Sequence, residues 1–171
     1  MIPGIKKLLY STDLSQNAAY AFRYAALLAI KLDAKIVILH VVEKMSPDAH
    51  LVLMAYLDKK DREKLLKERV SRSMERIKNR LKLFCEKELE EDPDGMGKII
   101  SFEVCEGYPA EEILTKAEEF DCDAIVMGAH EKGLTHTFLG SVAKSVLRRS
   151  RKPTFIVPLP RGDLDLSMHD I

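Results

Sequence analysis

The chain has 171 residues, 46% of them hydrophobic and 32% charged, which fits one globular domain with a sizeable core and excludes a disordered chain. Twenty-seven Lys and Arg balance 27 Asp and Glu, and a net charge of zero argues against broad electrostatic capture of nucleic acid or of an anionic membrane. Cys85, Cys105 and Cys122 are scattered and form no C-x-x-C, which argues against a disulfide framework and a zinc site.

In chain order, Met1 to Lys7 carries no signal-peptide apolar stretch, and no apolar run approaches the ~20 residues of a membrane span. The expectation is a soluble, cytoplasmic protein. Ile5 to Tyr10 is a short apolar run ending in Ser11-Thr12-Asp13, which reads as a strand followed by turn chemistry. Ser15 is placed to cap a helix over Gln16 to Leu32. Lys35 to Val42 (KIVILHVV) is almost continuously apolar and β-branched, as in strands covered on both faces. From about Asp58, Leu66, Val70, Met74, Ile77, Leu81 and Phe84 recur every three or four residues on a long charged helix, which Pro93, Gly95 and Gly97 end. The stripe packs on the sheet, or the excess charged length meets a protein partner. Ile99 to Val104 is the third strand, and Pro109 opens a helix to about Phe120. Ala124 to Met127, Ser141 to Ser150 and Thr154 to Val157 complete the set as strand, helix and strand.

Such alternation implies an α/β fold: a five-stranded parallel sheet, doubly wound, with helices on both faces and right-handed crossovers. One domain over 1–160 is expected, with a long helical insert over about 44–97 and a flexible tail at 161–171.

Ile125 to Pro158 (IVMGAHEKGLTHTFLGSVAKSVLRRSRKPTFIVP) carries the most chemical information. A strand ends at Gly128, about a dozen residues follow, and Gly140-Ser141 opens a helix. Gly140 permits close backbone approach, and the amides of Ser141, Val142 and Ala143 lie at a positive helix end, which favours phosphate. Alternatively Ser141 is only an N-cap. Gly128 and Gly133 have the glycine spacing of a P-loop, but Leu134 stands where that motif needs Lys. No G-x-G-x-x-G follows the first strand, so a dinucleotide site is unsupported.

Together with KKLLYSTDLS at 6–15, LHVVE at 39–43 and GYPAEEIL at 107–114, this segment resembles the universal stress protein family over about Ile5 to Pro158. The resemblance implies strand order 3-2-1-4-5, in the adenine nucleotide alpha hydrolase-like fold. It implies ATP held noncovalently, with Mg accompanying the nucleotide. Carried over by position, Asp13 faces adenine or ribose, Val41 offers backbone to the base, and Met127 and Gly128 line the nucleoside. Gly140, Ser141 and Val142 hold phosphate. The last strand, Thr154, Phe155, Ile156 and Val157, commonly pairs across a two-fold axis in the family, so a homodimer is expected on that edge.

The family signature G-x2-G-x9-G-[ST] is incomplete here. Its second glycine falls on Glu131, and eight residues rather than nine separate that position from Gly140. A carboxylate there is electrostatically unfavourable to phosphate, which Lys132 and His130 could offset. These departures support the competing reading: a dimeric protein-interaction module of the same fold that binds no nucleotide.

Asp13 also has an Asx-turn reading, and His40 that of a hydrogen-bonded structural histidine. His130 and His136 have no partner at metal-ligand spacing. Lys144, Arg148, Arg149, Arg151 and Lys152 complement the last helix's dipole, although Lys144 is one turn in and within reach of a phosphate. Neither an activated nucleophile nor a metal site stands out, so the chain is not read as an enzyme beyond slow ATP hydrolysis. No nucleic-acid or membrane partner is expected.

Overall fold

A computed structural model describes residues 4–44, 47–48, 51, 55, 59–90, 93–129 and 139–158; for 16, 17 and 59–70 the description covers the backbone alone. The elements are β1 (Lys7–Thr12), α1 (Gln16–Leu32), β2 (Lys35–Glu43), α2 (Lys59–Glu88), α3 (Pro93–Met96), β3 (Ile99–Gly107), α4 (Pro109–Glu119), β4 (Ala124–Gly128), α5 (Ser141–Arg149) and β5 (Thr154–Val157). The strands form one parallel sheet in the order β3-β2-β1-β4-β5.

Successive strand residues face opposite sides of the sheet, so the apolar strands feed two cores. Leu8, Tyr10, Ile36, Ile38, Ala124 and Val126 pack with the alanine-rich face of α1 and with Leu81, Phe84 and Cys85 of α2. Leu9, Val37, Leu39, Ile125 and Met127 pack with Ile113 and Ala117 of α4 and with Ala143 and Val146 of α5. Small residues let α1 lie close to the sheet. Ala21, Ala25 and Ala29 are fully buried, and the Phe22 ring sits 5.2 Å from that of Tyr10 and 5.5 Å from that of Phe84. The buried Tyr10 hydroxyl donates to the Ala18 carbonyl at 2.5 Å, which satisfies the one polar atom that ring brings inside.

Ser15 caps α1, its Oγ accepting from Ala18 N at 3.3 Å. Among the boundaries that differ from the sequence reading, three bear on the strand ends and the site. β1 starts at Lys7 and continues through Ser11 and Thr12, because these polar residues pair with Leu39 and His40 of β2. β3 continues to Gly107, paired with β2 as far as Glu43. The third is the cap of α5: it falls on Gly140 rather than Ser141, since Lys144 N closes the first helical bond on Gly140 O at 2.9 Å. The segment holding Glu131, His130 and His136, and the tail at 161–171, lie outside the described residues.

Candidate functional site

β1 has β2 on one side and β4 on the other, and their crossovers run to opposite faces of the sheet. The carboxyl ends of these three strands therefore part around a crevice, the switch point at which open α/β sheets bind ligands. A cleft of about 530 Å³ opens there. All seven residues expected at a site line it: Asp13 after β1, Val41 on β2, Met127 and Gly128 on β4, and Gly140, Ser141 and Val142 at the start of α5.

Local hydrogen bonds shape each wall. Thr12 Oγ1 accepts from Leu14 N at 3.0 Å, and Asp13 Oδ1 accepts from Ser15 N at 2.9 Å. Leu14 has a φ of 63°, the left-handed conformation that turns the chain sharply from β1 into α1. The Asx turn is therefore present, and it leaves Asp13 exposed at the cleft with one carboxylate oxygen committed to the turn. On the β4 side, Ala129 N reaches Val157 O at 2.9 Å and Gly140 N reaches Ala129 O at 2.8 Å. The two ends of the 128–141 connection are thus pinned together, and α5 begins at the cleft. Val142 and Ala143 precede the first intrahelical donor, Lys144, so the helix itself supplies no acceptor for their amides.

The β2 wall follows from ladder alternation. Lys35 N bonds toward β1 and Ile36 N toward β3, so Val41 and Glu43 direct their backbone groups to the β1 side. The last β1 partner is Thr12, opposite His40. Strand β2 therefore extends past β1, and the backbone of its odd-numbered end faces the crevice.

Among the further lining residues not assigned to the site from sequence are His40, Glu43, Ile77 and Ile113. His40 does make the hydrogen bond expected of a structural histidine, Nδ1 to Thr12 O at 2.8 Å, yet it also lines the cleft. Burial pushes its pKa down, opposed by the Thr12 carbonyl and the charge of Asp13 and reinforced by Arg80. A register count along two parallel strands would have put His40 beside Thr12. Ile77 comes from α2, and only the packing of that helix brings it to the cleft.

Among the described residues no group of three His, Cys, Asp or Glu is arranged to hold a metal ion. Burial raises the thiols of Cys105 and Cys122 to about 11, which disfavours their nucleophilic thiolate form. No described helix is long and apolar enough to cross a membrane.

The family model of the universal stress protein family matches residues 4–158. The chain belongs to this family. Universal stress protein MJ0577 of Methanocaldococcus jannaschii is 30% identical over 157 residues, covering 89% of this chain and 94% of that protein. The solved structure of MJ0577 superposes with a TM-score of 0.69 at 28% identity, covering 94% of this chain and all of that one. Two other members are more distant and are likened to this chain by fold. One was solved in complex with cAMP, at 19% identity, 92% and 100% coverage and a TM-score of 0.57. The other, from Archaeoglobus fulgidus, was solved in complex with dAMP, at 18% identity, 91% and 99% coverage and a TM-score of 0.51.

Proposed function

We propose that this universal stress protein binds an adenine nucleotide, ATP, noncovalently in the switch-point cleft, and acts as a regulatory stress-response protein rather than a catalyst. The observation that carries the reading is the convergence of Asp13, the overhanging end of β2 and the start of α5 on one cleft of about 530 Å³. That volume lies within the ordinary range for small-molecule sites. Two family members solved with cAMP and dAMP support an adenine nucleotide as the ligand.

The roles follow from chemistry. The backbone at Val41 offers directed hydrogen bonds to a base edge, and Met127 gives it an apolar wall. Asp13 accepts from ribose hydroxyls or the base. Gly128 and Gly140 allow close backbone approach, and Gly140, Ser141 and Val142 present the positive end of α5 to phosphates, with Mg accompanying them. The protein acts as a homodimer through β5.

Calorimetry and thermal unfolding with ATP test the reading. ATP should release or absorb heat on binding and raise Tm. Asp13→Ala should weaken binding, and Gly140→Asp, which sets a carboxylate at the helix start, should weaken it by about tenfold or more. No heat and no stabilisation at millimolar ATP would overturn it.

A further inference from the structure

Helix α2 has 30 residues, about 45 Å at its rise of 1.5 Å per residue, whereas the nine-residue strands β2 and β3 span about 30 Å. Its carboxyl-terminal turns are well anchored. Leu81, Phe84 and Cys85 are buried, and Arg23 of α1 holds Glu88 at 2.7 Å. Over Ser71–Arg80 the situation reverses: eight of ten residues are exposed, and only Met74 and Ile77 are half-buried.

Ile77 packs against the core on the α1 side and also lines the cleft. Arg80, one turn further on, lies near enough for its charge to act on His40 in the same cleft. Ile77, the foothold that follows the upstream half of α2, is therefore a wall of the ligand cleft. Upstream of it, residues 59–76 carry eight Lys and Arg against four Asp and Glu.

We propose that α2 reports the occupancy of the cleft: a nucleotide seated beside Ile77 completes the packing of that side chain and steadies the helix through residues 59–76. The physical basis is linkage. A half-buried isoleucine gains apolar cover when the cleft is filled, and residues 71–76, five of the six exposed, open locally at little cost. A ligand that opposes this opening is in turn bound more tightly by the closed helix. The inference rests on the nucleotide reading above.

Hydrogen exchange of the full-length protein, followed by mass spectrometry with and without saturating ATP, tests it. The expected result is exchange in peptides covering 59–76 slowed at least about fivefold by ATP, the lower end of ordinary coupling. Ile77→Ala should lose this protection even at ATP concentrations that saturate the variant. Asp13→Ala should need more ATP but recover the protection at saturation. A rise in Tm with ATP but unchanged exchange over 59–76 overturns the coupling alone. No rise in Tm overturns the nucleotide reading, and the coupling with it.

Discussion

His40 of β2 donates from Nδ1 to the backbone carbonyl of Thr12 across 2.8 Å, so one ring ties together the ends of the two strands that part at the cleft. A carbonyl oxygen only accepts, which places the proton on Nδ1 and leaves Nε2 as the acceptor in the neutral ring. The bond adds to the β1–β2 ladder in holding the chain just before Asp13, whose turn is shaped by the local bonds of Leu14 and Ser15.

Stability should therefore depend on pH in a way that His40 controls. Burial lowers its pKa in the folded protein below the ordinary value of about 6.5. As pH falls through about 6.5 the unfolded chain takes up the proton first, so the folded state loses stability until its own lower pKa is reached. Scanning calorimetry between pH 7.5 and 5 should show Tm falling more steeply in the wild type than in His40→Asn, whose amide can donate to Thr12 without titrating. Parallel pH profiles would refute this role for His40.

Asp123 makes a second strand-end connection. Its Oδ2 accepts from Lys6 N at 2.7 Å and from Lys7 N at 2.9 Å, and its own amide reaches Lys7 O at 2.8 Å. The carboxylate thus joins the entry of β4 to the entry of β1. Asp123→Ala leaves two amides without their acceptor and should cost about 1–3 kcal/mol in urea unfolding. Asp123→Asn, which keeps one acceptor oxygen, should lose less. Equal stability of all three proteins would show that water replaces the carboxylate at no cost.

These connections also mark where sequence reading stops. The bounds of α1 and β5 were legible because their signals are local: Ser15 caps the one, and Pro153 and Pro158 bracket the other. The end of β1 was not, because Ser11 and Thr12 are strand residues only by pairing with Leu39, His40 and Met127, far away in the chain. The same holds for the site. Asp13, Gly128 and Gly140 stand out through turn chemistry, glycine placement and the family motif. His40 and Ile77 look like ordinary members of a strand and of a helix stripe, and become cleft walls only through strand register and the docking of α2.

The remaining expectation, a homodimer through β5, can be tested at single backbone groups. Ile125 N bonds Pro153 O and Ala129 N bonds Val157 O, both at 2.9 Å, so the odd-numbered residues of β5 direct their backbone to β4. By strand alternation Thr154 and Ile156 turn their amides and carbonyls to the open edge. Around a two-fold axis at Phe155, Thr154 of one copy would lie opposite Ile156 of the other, giving four backbone hydrogen bonds. Ile156→Pro removes one donor per chain, hence two of the four bonds, while every bond to β4 stays intact. Loss of two bonds at about 1 kcal/mol each should raise the dimer dissociation constant roughly 10- to 100-fold. Ile156→Ala controls for the lost side chain, which packs against the α4–α5 core, because it keeps the amide. Light scattering at micromolar concentration should give twice the 19.4 kDa chain mass for the wild type, and a lower mass for Ile156→Pro than for Ile156→Ala. A monomeric wild type, or equal masses for the two variants, would rule out pairing through these groups.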